Sequence, residues 1–273
     1  MKQSYSIVSA MALISVLGVT STASAQGSED FFVRNKYQAV TERSQPEFDP
    51  IKIRSGAFEI APEVRFRTGF TDNLFANGQN EVDDVFVGVA PSINFASTWS
   101  RNSLNFGGTI DHIEYSDVDS ESRTNLMLRS SGGLDVTSDF NLYANALFDD
   151  MVEPRSNIAS LQNAAEPVEF TRAGGEVGAA YQAGRIRVNS GVAFVTSDFD
   201  DVELDSGLIQ DQDFRDNDRV TANVRAAYAV QRDWAVFAEV NHSETEYDPP
   251  GIFNTTIRDF SDTSVRVGLD FEL

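Results

Sequence analysis

The sequence predicts an all-β protein, an antiparallel up-and-down transmembrane β-barrel in which about ten strands are visible. Three observations predict this fold: apolar residues recur with a period of two, polar connections alternate between short and long, and the chain opens with an export signal. After that signal no stretch approaches 18 consecutive apolar residues, so strands are left as the means of crossing a membrane.

The export signal occupies residues 1–25. Lys2 supplies a positive start, Ile7 to Val19 form a short apolar run, and Ala23-Ser24-Ala25 is a small-residue cleavage site. We expect cleavage after Ala25, a periplasmic N-terminal segment over residues 26–55, and an outer-membrane β-barrel over residues 56–273. The predicted location is the outer membrane of a Gram-negative bacterium.

The first predicted strand shows the period of two clearly. Phe58, Ile60, Val64, Phe66 and Phe70 share one parity, while the charged residues between them take the other, so one strand face is apolar and one is charged. Pro62 cannot donate to a strand ladder and indicates an edge or a bulge. Nine further segments alternate in the same way, within 85–95, 104–111, 125–136, 140–149, 176–182 (the weakest), 185–194, 220–230, 234–241 and 265–272.

The connections between these segments alternate in length, as they do in transmembrane barrels. Short connections fall at 98–102, 137–139, 182–184 and 231–233, and long polar ones at 71–84, 116–123, 150–167, 197–217 and 248–262. Aromatic residues gather near the strand ends, which predicts two interfacial girdles. Those beside short turns are Trp99, Phe140, Tyr181 and Trp234, and those beside long loops are Tyr115, Phe148, Phe199 and Tyr247.

Composition excludes several classes of function. The net charge of −21 disfavours nucleic acid, and the absence of cysteine excludes thiolate metal sites and disulfides. The two histidines, His112 and His242, have no metal-ligand spacing. We predict no catalytic residues, no cofactor and no metal. The acidic stretch from Asp198 to Asp218 is interpreted as a solvated loop, with weak calcium binding or divalent-ion bridging to lipopolysaccharide as the alternative.

If the apolar parity meets lipid, the charged parity must line a lumen, because a charge facing lipid near the midplane costs several kcal/mol. The pattern favours either a hydrated channel or a closed network of ion pairs that fills a narrow barrel. The candidate lumen-lining residues are Glu59, Glu63, Arg65, Arg67, Arg129, Asp135, Arg187, Arg225, Glu239, Arg266 and Asp270.

The segment from Arg43 to Ala76 carries a family resemblance. It reads RSQPEFDPIKIRSGAFEIAPEVRFRTGFTDNLFA, with a weaker echo at Ala164 to Phe170 (AAEPVEF). It resembles the β-barrel porin family found with exopolysaccharide biosynthesis and secretion genes. The resemblance implies an outer-membrane barrel, tied in some members to polysaccharide export. Family members are usually longer, so the chain is expected to be either a compact ten-stranded version or a C-terminally truncated member.

The leading hypothesis is a non-enzymatic barrel that acts as a porin-like or accessory channel for exopolysaccharide export. Its expected partners are outer-membrane lipid and lipopolysaccharide, together with polysaccharide and the periplasmic export machinery. Two alternatives stay open: a general porin or structural barrel without a polysaccharide role, and a soluble periplasmic β-sheet protein that binds a partner through its acidic loops.

Overall fold

The computed structural model describes residues 52–78, 81–157, 159–161, 163–231, 233–248 and 258–271. The predicted signal peptide lies outside these residues, and so does most of the predicted periplasmic segment. The strands are β1 (Ile53–Ser55), β2 (Phe58–Thr71), β3 (Asp84–Ser97), β4 (Ser103–Tyr115), β5 (Arg123–Asp135), β6 (Phe140–Val152), β7 (Glu169–Ala183), β8 (Ile186–Phe199), β9 (Val202–Glu203), β10 (Ile209–Gln210), β11 (Asn217–Ala229), β12 (Trp234–Tyr247) and β13 (Phe260–Phe271).

Eleven of these strands form one antiparallel sheet in the order β1-β2-β3-β4-β5-β6-β7-β8-β11-β12-β13, and β9 and β10 form a separate hairpin. The ten long strands, of 12 to 15 residues, coincide with the ten alternating segments of the sequence. Within the described residues the sheet keeps two edges, one at β13 and one at β1 and β2. Strand β1 pairs with β2 only at residues 58–60, so Pro62 lies on an edge, as its missing N–H predicts.

One face of the sheet, called here the apolar face, presents large hydrophobic side chains to its surroundings. Phe66 is 75% exposed and Val267 is 79% exposed, and neighbours on every long strand continue the surface. A soluble monomer rarely exposes a contiguous apolar patch of more than a few hundred Å². Strands of this length are sufficient to cross a hydrocarbon layer when they are tilted. The apolar face is therefore a lipid-type surface.

The opposite face, called here the polar face, pairs large side chains with glycines on the neighbouring strand. Tyr143 lies directly opposite Gly178, and its ring occupies the place that a Cβ at Gly178 would need. The same arrangement recurs at Phe237 with Gly268, where an added Cβ would come 2.6 Å from the ring. The further pairs are Phe86 with Gly69, Arg67 with Gly88, and Asn94 with Gly107. These side chains lie against the sheet because glycine leaves the space for them.

The two ends of the sheet differ in their connections. Tight turns join strands at one end, called here the short-turn end, and Gly56 and Gly184 adopt positive φ values of 59° and 57° there. The other end, called here the long-connection end, carries residues 72–83, 116–122, 153–168, 200–216 and 248–259. Among the described residues, no helix is long and apolar enough to cross a membrane.

Within the strands, the structure departs from the sequence prediction at the start of β7 and in the aromatic girdles. Strand β7 begins at Glu169, seven residues before the alternation becomes visible, because Gly174 and Gly175 blur the pattern. The girdle prediction is wrong for Tyr115, Phe199 and Tyr247. Tyr115 is buried against Leu74 and Ile113, Phe199 packs against a second buried cluster, and Tyr247 lies opposite Asn217 of the polar face. All three side chains share a face with the charged residues, so they point away from the apolar face.

Candidate functional site

The polar face contains three clusters of paired charges. In the first, Arg67 on β2 forms an ion pair with Asp111 on β4 by reaching across β3. The intervening residue on β3 is Gly88, and a Cβ there would lie 2.8 Å from Arg67 Cγ. The two side chains therefore bridge alternate strands on the polar face. The glycine thus makes the ion pair sterically accessible.

The second cluster is centred on Asp149 of β6, whose side chain has no exposed surface. Arg172 on β7 donates to Asp149 Oδ2 from Nη2 at 2.6 Å and from Nε at 3.1 Å. Arg129 Nη1 on β5 lies 2.5 Å from Asp149 Oδ1, without the alignment of a hydrogen bond. Two cations therefore surround one buried carboxylate, which offsets part of the cost of removing it from water.

The third cluster spans β11, β12 and β13. Arg225 contacts Glu239 at 3.1 Å and Asp270 at 3.0 Å, and Arg266 contacts Glu239 at 2.8 Å. Arg225 also stacks over the Phe237 ring at 3.8 Å, a cation–π contact. The four charges sum to zero, so this part of the polar face presents a compensated network.

The remaining sequence-predicted residues lie nearer the short-turn end or the β2 edge. Glu59 pairs with Arg54 at 2.7 Å, and Glu63 pairs with Arg65 at 3.1 Å, in exposed positions. The other two bind amides: Asn141 donates to Asp135 at 3.0 Å, and Arg187 donates to Gln182 at 2.8 Å. The structure thus brings Arg225, Glu239, Arg266 and Asp270 together and distributes the other seven residues along the sheet. Whether these residues line a lumen stays a prediction.

Amide side chains share the polar face with the charged clusters. All nine asparagines that lie within strands share the polar face, as the strand register shows: Asn94, Asn105, Asn125, Asn141, Asn145, Asn189, Asn217, Asn223 and Asn241. Asn145 donates to Glu176 at 3.3 Å, and the Tyr143 hydroxyl donates to the same carboxylate at 3.1 Å. An amide both donates and accepts hydrogen bonds, so this face is well suited to contact water or hydroxylated solutes.

A cavity of about 780 Å³ opens on the polar face at the short-turn end. Its lining includes Asn105, Asn141, Tyr143, Gln182 and Asn189, together with hydroxyls and backbone of the turns. The lining is mostly uncharged and hydrogen-bonding, in contrast to the charged clusters nearer the long-connection end. The polar face is therefore open and amide-rich at this end.

The acidic connection 200–216 is more ordered than the predicted solvated loop, since it contains the β9–β10 hairpin. Carboxylate oxygens of Asp201, Asp211 and Asp213 lie within 4.8 Å of one another, but all three residues are exposed. The charge of Asp211 is the main cause that raises the pKa of Asp213. Burial raises the pKa of Asp216 to about 6, and the nearby carboxylates Asp198, Asp213 and Asp248 add to this effect.

A sheet with a lipid-type apolar face and an ion-paired polar face defines the class of outer-membrane β-barrels. The family model described as "Putative beta-barrel porin 2" matches residues 45–273, and the chain belongs to this family. Its members are porin-like outer-membrane proteins, so the predicted family type and fold class are confirmed. No curated protein matches the sequence.

Several solved barrels are distantly similar. A loop L8 deletion mutant of OmpT, an outer membrane protein of Vibrio cholerae, is 10% identical over 81% of this chain and 60% of that chain, with a TM-score of 0.44. The ferric-catecholate import receptor Fiu of E. coli K12 is 11% identical over 80% of this chain and 47% of that chain, with a TM-score of 0.46. The chain thus spans about half to three fifths of the length of these two structures.

The set of candidate lumen-lining residues omits Asp111, Asp149 and Arg172 of the charge clusters, and Glu176, which accepts hydrogen bonds from Tyr143 and Asn145. Arg172 precedes the visible alternation of β7, and Glu176 lies in the segment where the alternation is weakest. The available signal was indirect: Asp149 takes the charged parity of β6, and a buried carboxylate requires a cation on a neighbouring strand.

Proposed function

We propose that this porin-family protein forms a hydrated passage along its polar face and serves exopolysaccharide export. The observation that carries the passage is the segregation of side chains. Every strand asparagine and the three charge clusters share one face, while the opposite face is suited to lipid. A closed ion-pair filling is less well supported, because the cavity at the short-turn end leaves room on this face.

The polymer proposal draws on the amide-rich wall and on the family resemblance at residues 43–76. A hydroxyl-rich polymer both donates and accepts hydrogen bonds, as asparagine side chains do. The arginines and carboxylates of the polar face pair with each other, so a neutral polymer would contact this face through hydrogen bonds. The function is non-enzymatic in this proposal. The protein would meet outer-membrane lipid and lipopolysaccharide with its apolar face, after export by the signal at residues 1–25.

A planar bilayer tests the passage. Reconstituted protein that migrates faster before heating than after heating in detergent should give stepwise conductance in KCl, and neutral dextrans of increasing size should block it up to a size limit. The double variant Asn223→Leu/Asn241→Leu should weaken dextran block, whereas Thr68→Leu, on the apolar face of β2, serves as the control. Folded protein that conducts neither in its wild-type form nor after residues 200–216 are replaced by a short Gly-Ser turn would refute the passage.

A deletion strain tests the proposed role in polysaccharide export. Reduced secreted polysaccharide, restored by the wild-type gene, supports export. Normal polysaccharide with a conducting protein would instead support the general porin, and recovery of the protein without detergent in the periplasmic fraction would support the soluble alternative.

A further inference from the structure

The polar face changes character at the long-connection end. Leu74, from the connection 72–83, packs with Ile113 and Tyr115 in a buried cluster, although both β4 residues share a face with Asp111. A second buried cluster joins Ala164 and Val168 to Val202. Long connections therefore fold over the polar face at this end and cover it with apolar side chains.

A buried ion pair links two of these connections. Arg155, in the connection 153–168, contacts Glu121, in the connection 116–122, at 2.6 Å, with side-chain exposures of 4% and 2%. Arg155 also donates to the carbonyl oxygens of Leu161 and Ala164 at 2.9 Å and 3.0 Å. Most of the hydrogen-bonding capacity of the guanidinium is thus used inside the protein. Removing one partner of such a pair leaves an uncompensated buried charge.

A second pair extends the network. Arg215, in the connection 200–216, contacts Glu153 at 2.7 Å and stacks over Phe199 at 4.0 Å. Backbone hydrogen bonds reinforce this link, from Ala165 N to Glu203 O at 2.8 Å and from Asp205 N to Asn163 O at 2.9 Å. The connections 153–168 and 200–216 therefore form one packed unit.

One contact joins the packed unit of the connections 153–168 and 200–216 to the connection 72–83. Arg155 lies over the Phe75 ring at 5.6 Å, although their connections follow β6 and β2, four strands apart in the sheet. Neighbouring connections would touch along the rim in any barrel, whereas this contact skips the connection 116–122. Because Leu74, next to Phe75, packs on polar-face side chains of β4, the two connections approach each other on the polar side of the sheet.

We propose that the described residues of the connections 72–83, 116–122, 153–168 and 200–216 form a lid, called here the loop cap, that obstructs the passage and is held shut by Arg155. The proposal rests on the proposed channel function. Arg155 is the positioning residue because it touches three of the four connections, and opening the loop cap requires its ion pair with Glu121 to separate.

The variant Arg155→Met tests the loop cap by two measurements. Hydrogen exchange of amides in all four connections should accelerate together, by roughly 100-fold or more, because Glu121 is left buried without its cation. Bilayer conductance should rise several-fold at the same time. The double variant Glu121→Gln/Arg155→Met removes both charges and keeps the test available if the single variant fails to fold. The control is Arg54→Met, which breaks an exposed pair at the short-turn end.

The outcomes separate the two proposals. Faster exchange confined to 153–168 would show that the loop cap is not a unit. Faster exchange in all four connections with unchanged conductance in a conducting protein would show that the loop cap does not obstruct the passage. Either result overturns the lid and leaves the channel intact. If no variant conducts in the bilayer, including one with residues 200–216 replaced by a short Gly-Ser turn, the channel proposal itself is overturned.

Discussion

The two ends of this sheet use the same residue types in opposite ways. At the long-connection end, Glu121, Arg155 and Glu153 are buried, and Arg215 is 12% exposed. At the short-turn end, Arg54 is 79% exposed beside Glu59, and a polar cavity opens between the turns. The comparison teaches that the contribution of an ion pair to stability depends on its exposure to water. An exposed pair contributes about 0–1 kcal/mol, whereas removing one partner of a buried pair costs about 3–5 kcal/mol.

The largest expected effect follows from Arg215→Met. Glu153 would remain buried without its cation, and we expect the local stability of the loop cap to fall by about 3–5 kcal/mol. Hydrogen exchange at the Ala165 and Asp205 amides measures this change. The double variant Glu153→Gln/Arg215→Met should recover part of the loss, and an unchanged exchange rate in the single variant would contradict the buried-pair interpretation.

Next in size is Asp149→Asn, just below the loop cap. The substitution leaves Arg129 and Arg172 without their shared anion, and we expect a loss of about 1.5–3 kcal/mol, the range for hydrogen bonds to charged groups. Urea unfolding in lipid vesicles measures it. The matched control is Glu63→Gln, which alters an exposed pair with Arg65. Equal losses in the two variants would remove the distinction between buried and exposed charge.

A smaller effect should depend on pH through Asp216. Its folded-state pKa of about 6 lies above its usual value of 3.8, chiefly because of burial. The protonated form therefore favours the folded loop cap fully below the unfolded pKa, and this stabilisation is lost as pH rises through about 6. After correction for intrinsic rates, amides of 200–216 should exchange faster at pH 8 than at pH 5.

Asp216→Asn should abolish that dependence because an asparagine side chain does not titrate. The variant should keep its fold, since the amide oxygen can still accept the hydrogen bond from the Phe199 N–H. Persistence of the pH effect in this variant would assign it to Asp213, whose pKa is also raised by its neighbouring carboxylates.

The smallest effect is expected at the short-turn end. Arg101 donates to the Asp135 carbonyl oxygen at 2.9 Å in an exposed position, so Arg101→Met should change unfolding by no more than about 0.5 kcal/mol. Urea unfolding in the same vesicles gives the comparison with Arg215→Met. A loss above 2 kcal/mol would show that the turns are as tightly coupled as the loop cap.

The sequence allowed the sheet to be predicted but not the loop cap. All ten long strands follow from alternation, since lipid and water impose opposite side chains on successive residues. Glu121 and Arg155 are 34 residues apart in polar connections, where a buried charge has the same appearance as a solvated one. The β9–β10 hairpin is equally invisible because its strands are two residues long.

The candidate site was predictable in part for the same reason. Parity placed Arg225, Glu239 and Asp270 on one face, but only the strand register determines which of them meet. The register depends on turn geometry and on pairing across strands, and neither can be derived from alternation alone.

The glycine pairing on the polar face leaves room above the sheet. A tyrosine, two phenylalanines, an arginine and an asparagine lie against glycines of the neighbouring strand instead of standing away from the sheet. The space above the polar face is therefore less obstructed than the number of large side chains on this face implies.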